Sequence, residues 1–190
     1  MTTGNSKLFD KRYGLLLFAI ALWVWIGYSI ASHTTRHIIK ATIIQSAKPI
    51  RSIDDPLISI KKEVLWIDKL YFSKGNELRH PLYGYLGYRH DFVIHFDAKF
   101  SLAKREPVRF IIYSDDGFRL KIDGKEVMEY PKDRPFSKSE KEVVLPKGEH
   151  TLYIKYFQGF GQLGIVGYYQ EGSKRHLIGQ DGEALRFEEQ

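Results

Sequence analysis

Two kinds of apolar pattern divide this chain. The first is one unbroken run, Tyr13 to Ala31, reading YGLLLFAIALWVWIGYSIA with no ionisable group except tyrosine. The second begins near Val64 and alternates. Phe92, Ile94 and Phe96 alternate with Val93, His95 and Asp97, and Phe118, Leu120 and Ile122 alternate with Arg119, Lys121 and Asp123. His150, Leu152, Ile154 and Tyr156 alternate in the same way with Thr151, Tyr153, Lys155 and Phe157. A period of two marks half-buried strands, because successive side chains of a strand point to opposite faces. Val108 to Tyr113, Glu142 to Leu145 and Gln162 to Tyr169 are further predicted strands, with a shorter one near His176–Ile178.

Turn signals separate these strands. Asp123-Gly124 suits a tight type I′ hairpin, in which both central residues need positive φ, and Lys125 to Tyr130 is then the return strand. Pro146-Lys147-Gly148 is a second turn, and Pro131 to Ser139, polar with two prolines, is a surface loop. Many short strands with no strong helix between them predict an all-β fold, an antiparallel β-sandwich over residues 63–190. Residues 33–62 read as a connector. The pairs Ile38/Ile39 and Ile43/Ile44 give neither a helical nor a strand period, so the segment is extended or partly helical. Its isoleucines predict that it packs on something.

The apolar run sets the expected address. As a helix its nineteen residues extend about 28 Å, close to the ~30 Å bilayer core. Tyr13 and Tyr28 sit near its ends, where amphipathic rings favour the interface, while Trp23 and Trp25 lie deeper. Lys7, Lys11 and Arg12 precede the run, and Arg36, Lys40, Lys48 and Arg51 follow it, so basic residues alone do not orient it. A short basic N-terminal stretch before the first apolar run favours the N-terminus inside. The predicted layout is a cytoplasmic tail over 1–12, a transmembrane anchor over 13–32, a connector over 33–62 and the sandwich over 63–190. Ser29-Ile30-Ala31 also carries the small-x-small pattern of a cleavage site, so a removable signal peptide is the alternative. The length of the run and its two tryptophans favour the anchor.

Composition narrows the chemistry. The 190 residues include no cysteine, which excludes a disulfide framework, a thiol nucleophile and a thiolate metal site. The net charge of +6 is a mild bias and not a nucleic-acid footprint. No Gly-x-Ser-x-Gly elbow is present, Gly159-Phe160-Gly161 is not followed by the Lys-Ser/Thr of a phosphate loop, and no two acids form a recognisable glycosidase frame. The chain is therefore not expected to be an enzyme.

One stretch is more specific. Residues 114–125 read SDDGFRLKIDGK, and residues 145–157 read LPKGEHTLYIKYF, a Gly-x-His turn opening a strand that ends in an aromatic pair. Gln158-Gly159-Phe160-Gly161-Gln162-Leu163-Gly164-Ile165 follows. In this order these segments resemble the protective-antigen insert domain, a fourteen-kilodalton β-sandwich found in bacterial toxins, glycosidases and yeast adhesins. The resemblance covers about residues 90–170.

It implies a candidate site. In carbohydrate-binding members, two successive aspartates joined by a cis peptide hold a calcium ion that also contacts sugar hydroxyls. Asp115 and Asp116 are the matching residues, and calcium favours six to eight oxygen ligands of that kind. The plainer reading is a turn, in which a carboxylate accepts backbone N–H bonds. Adhesin-type members also use an asparagine from a later loop. None occurs near Gln158–Gln162, and the only asparagines are Asn5 and Asn76.

Other residues carry weaker signals. Tyr83, Tyr85 and Tyr88, with Phe160 and Gln162, are candidate sugar-contacting residues, because aromatic faces stack on pyranose rings. Packing of those tyrosines against the sandwich is the alternative. His90, Asp91, His95 and Asp97 lack zinc spacing, and His150 reads as a hydrogen-bonded core histidine. Lys104, Arg105, Lys132, Arg134, Lys138, Lys141 and Lys147 read as a solvated basic face, or as one that attracts anionic headgroups or an acidic glycan. The function expected is a non-catalytic recognition module on the outer face of a bacterial cytoplasmic membrane. It would bind glycan or cell wall, with calcium. The alternative is a structural subunit that binds envelope proteins.

Overall fold

The apolar run forms helix α1 (Lys11–Ser32). The computed structural model describes residues 11–32, with side chains from 14 to 27, and residues 36–190. Residues 1–10 of the expected tail, and the side chains of Tyr13, Tyr28 and Ser29-Ile30-Ala31, lie outside the described residues. On α1 the large apolar groups are exposed, among them Leu15 at 70%, Trp23 at 73% and Trp25 at 65%. Among the described residues no helix is long and apolar enough to cross a membrane.

Arg36 to Gln190 forms a separate unit. Its strands in chain order are β1 (Ile39–Ser46), β2 (Ser59–Ile67), β3 (Tyr71–Gly75), β4 (Arg79–His80), β5 (Gly84–Tyr85), β6 (Phe92–Leu102) and β7 (Glu106–Asp115). β8 (Phe118–Ile122), β9 (Lys125–Tyr130), β10 (Ser137–Leu145), β11 (Gly148–Gln158), β12 (Leu163–Glu171), β13 (Lys174–Leu177) and β14 (Leu185–Phe187) complete it. One sheet runs β2-β1-β6-β11-β8-β9, with β14 beside β6. The other runs β10-β7-β12-β13, with β3 beside β12. All pairings are antiparallel.

The core lies between the sheets. Phe92, Ile94, Phe96 and Phe100 of β6 meet Phe110 and Ile112 of β7 and Ile165 of β12 there, each fully buried. Burying such a side chain contributes about 1.5–3 kcal/mol. On the outer face of the larger sheet a second cluster joins Val93 and Phe157 to Ile50 and Ile53 of the β1–β2 loop.

The expectation of a connector over 33–62 is corrected here. β1 lies inside the larger sheet, with Ala41 opposite both Leu65 of β2 and Phe96 of β6. Within β1 the face of Ile39, Ala41 and Ile43 is buried while Lys40 is exposed, and Ile38, just before the strand, is buried as well. The pairs Ile38/Ile39 and Ile43/Ile44 blur a period of two that the burial of β1 still keeps. The predicted 131–139 loop is also shorter, because Ser137 to Ser139 already pair with Ile112 to Ser114. The Asp123-Gly124 turn has φ of 51° and 74°, the positive values that its sequence requires.

Candidate functional site

β7 ends at Asp115 and β8 begins at Phe118, so Asp116 and Gly117 make the turn between them. The Asp115–Asp116 peptide is cis. Gly117 leaves no room for a side chain. A Cβ there would lie 2.4 Å from the Tyr130 carbonyl oxygen and 2.5 Å from the Phe157 ring.

Both aspartates are buried, at 6% and 4% exposure. Asp116 Oδ2 accepts the N–H of Gly159 at 2.9 Å, and Oδ1 accepts that of Arg134 at 3.4 Å. Burial pushes the Asp116 carboxyl up to about 6, against the Gly159 N–H, and the negative charges of Asp133 and Asp115 add to the rise. Burial also pushes the Asp115 carboxyl up, opposed by the Phe136 N–H, Lys74 and Arg134. Two buried acids with raised affinity for protons form a site where positive charge is favoured.

The loop between β9 and β10 closes over this turn. The Arg134 guanidinium donates to Ser114 Oγ at 2.7 Å and to Ser139 Oγ at 2.8 Å. Ser114 Oγ in turn donates to the Asp116 carbonyl at 2.7 Å. The same guanidinium lies over the Tyr130 ring at 4.6 Å and the Phe118 ring at 5.3 Å. Arg134 is 8% exposed, which corrects its assignment to a solvated basic face. From the opposite side the buried Tyr156 hydroxyl contacts the Asp115 carbonyl oxygen and lies 2.9 Å from Gln158 Oε1.

Gly159 fits between Asp116 and the β1–β2 loop, since a Cβ would lie 2.5 Å from the Ile50 carbonyl oxygen. The next residues, Phe160 to Gln162, form the tip between β11 and β12. Phe160 is 79% exposed. The tip forms one wall of a groove of about 780 Å³, whose other wall is Ser73 to Glu77, with Arg79, Arg89 and His90 at its end. Asn76 therefore reaches the groove from the turn after β3, opposite Gln162.

Phe160 and Gln162 are thus together, across the loop from the aspartates. Tyr83 and Tyr85 are exposed but do not line this groove. Tyr85 lies beneath the guanidinium groups of Arg79 and Arg89, at 5.7 and 5.8 Å, and the Tyr83 hydroxyl donates to the Trp66 carbonyl. Tyr88 is corrected: it is 1% exposed and packs on Phe92, so its face is closed to a sugar. His150 is a core histidine, bonded to Asp123 Oδ2 at 2.7 Å and to the Pro146 carbonyl. Among the described residues no three metal-ligating side chains of the His, Cys, Asp or Glu types cluster. Arg134, Ser114 and the β3 end were missed from sequence. The Arg134–Ser114 bond spans 20 residues, and the β3 end meets the Phe160–Gln162 tip from much farther along the chain. No local pattern encodes such meetings.

No family model matches the chain, and no curated protein matches it. Solved structures do. The PA14 domain of the antifreeze protein MpAFP is similar, with a TM-score of 0.63 at 12% identity, over 76% of this chain and 88% of that one. A PA14 sugar-binding domain from an RTX adhesin gives 0.60 at 12% identity, over 76% and 96%. An anti-sigma factor domain-containing protein gives 0.59 at 16% identity, over 75% of this chain and 46% of that one. Residues 36–190 share the β-sandwich fold of these domains.

Proposed function

We propose that this chain is a non-catalytic recognition module of the protective-antigen type that binds glycan in the groove beside Phe160, with calcium at Asp115 and Asp116. One observation carries the reading. The Asp116–Gly159 bond ties the paired aspartates to the loop whose exposed aromatic tip walls the groove. Asp115 and Asp116 supply carboxylate oxygens, and the hard cation they suit takes its other ligands from backbone carbonyls and water. Asn76 supplies an amide to the groove, in place of the later-loop asparagine of the adhesin-type members. The likeness to a sugar-binding PA14 domain supports the same reading.

The binding unit is held on the outer face of a bacterial cytoplasmic membrane by the apolar segment around α1. The exposed apolar side chains of that helix and the uncharged run from 13 to 31 support this placement. Calcium titration by calorimetry tests the metal: saturable heat is expected for the native protein and none for Asp116→Ala. Absence of heat in both removes the calcium. Glycan-array binding that is abolished by a chelator tests the sugar, and membrane fractionation tests the tether.

A second reading rests on the edge strand β2. Ile60 and Val64, exposed at 66% and 46%, lie on this strand, which among the described residues pairs only with β1. Such an edge suits a protein partner in an envelope complex. Migration in detergent as a large defined assembly would favour it over glycan recognition.

A further inference from the structure

The groove has a charge pattern that glycan binding alone does not require. Lys74, Arg79 and Arg89 line it, and Glu77 is its only acid. Glu77 is fully engaged: Oε2 accepts from Arg79 at 2.7 Å and Oε1 from Arg89 at 2.6 Å. Those two guanidinium groups hold the Glu77 carboxyl below the usual carboxylate range, so it stays ionised between them. Tyr85 packs beneath both arginines. They are therefore a fixed pair, each giving one Nη2 to Glu77 and keeping its other donors for a ligand. Lys74, exposed on the same wall as Glu77, makes no ion pair among the described residues. The buried aspartates do not line the groove, and Asp115 meets the groove's charge only through Lys74.

We propose that this groove selects carboxylate-bearing glycans, with a uronic-acid residue as the recognised unit. The sugar ring stacks on Phe160, and its carboxylate lies between Lys74 and the arginine pair. Guanidinium and ammonium groups bind a carboxylate by charge-assisted hydrogen bonds, which are about twice as strong as neutral ones. A neutral ring gains no such term, so the groove separates the two classes. This inference rests on the glycan reading above and adds the class of sugar.

The test uses the full chain in detergent. Oligomers of galacturonate and of glucuronate are titrated by calorimetry, each beside its carboxyl-reduced, neutral counterpart. At least one acidic oligomer is expected to bind about tenfold or more tightly than its reduced form. That difference should shrink at about 0.5 M salt, where exposed charges are screened. Lys74→Gln and Arg89→Gln, both at exposed positions, are each expected to weaken the acidic oligomer about tenfold more than its neutral counterpart. Equal binding of acidic and reduced oligomers overturns the selectivity while glycan binding stands. Equal binding of polyglutamate and uronate also overturns it, because bare charge then suffices. If no acidic or neutral oligomer binds and the glycan array is blank, both this inference and the reading beneath it fail.

Discussion

Asp116 Oδ2 accepts the N–H of Gly159 at 2.9 Å, across 43 residues of sequence. This bond joins the β7–β8 turn to the β11–β12 loop, and Gly159 is required where they meet. Gly159→Ala sets a methyl group 2.5 Å from the Ile50 carbonyl oxygen. Overpacking against backbone costs about 1–3 kcal/mol. The expected result is a lower denaturant midpoint with the loop displaced, and an unchanged midpoint would show that the loop yields freely.

The Asp116 carboxyl, pushed up to about 6, makes stability depend on pH. Its native affinity for protons exceeds that of the unfolded chain, so the native state holds more protons between pH 4 and 6. The resulting stabilisation is complete below about pH 4 and is lost as pH rises through about 6. Native protein should therefore lose roughly 2 kcal/mol more than Asp116→Asn between pH 4.5 and 7.5, as followed by urea unfolding. Calcium at pH 7.5 should restore the loss. Parallel curves for the two proteins would contradict the prediction.

Arg134 is a buried cation whose partners are hydroxyls and aromatic rings. Arg134→Ala leaves Ser114 and Ser139 without their donor and opens a void beneath Tyr130. A loss of about 2–4 kcal/mol is expected. Arg134→Lys keeps the charge but not the fork that reaches both serines, so it should recover only part. Full recovery by lysine would mean that charge alone matters.

Phe160 is expected to affect binding and not folding. At 79% exposure it buries little, so Phe160→Ala should leave the thermal midpoint within about 1 °C. Glycan affinity should fall by about tenfold, the scale of a central aromatic contact. A shifted midpoint with unchanged affinity would make Phe160 a packing residue.

Asp123 ties the hairpin to β11. Burial pushes its carboxyl up, but the bonds from His150 and the Thr151 N–H outweigh this and hold it low. Asp123→Ala loses both bonds and puts alanine at φ 51°, for an expected cost of about 2–3 kcal/mol. Asp123→Asn should cost less, since asparagine tolerates that φ. Equal costs for the two variants would count against the φ argument.

The strands of the sandwich were legible where one face meets the core and the other meets water. β8 and β11 alternate in sequence as they do in burial. β1 was illegible because Ile38, just before it, and Ile44, on its less buried face, interrupt the alternation of Ile39, Ala41 and Ile43. Asp115 and Asp116 stood out through their neighbours Ser114 and Gly117, whereas the groove was visible only in part. Phe160 and Gln162 belong to a recognisable segment, but Asn76 reaches them through the pairing of Leu163 with Gly75, and Arg89 follows Tyr88, which is bonded to Leu78. Tyr88 looked identical in sequence to Tyr85. Its burial follows from the hydrogen bond between its carbonyl and the Leu78 N–H, a contact no local motif announces.

The position of β1 also bears on load. It begins three residues after Arg36 and is zipped on both sides, to β2 and to β6, over nearly its whole length. Tension entering at Arg36 runs lengthwise along two ladders at once, so their bonds resist in shear and break together instead of peeling in turn.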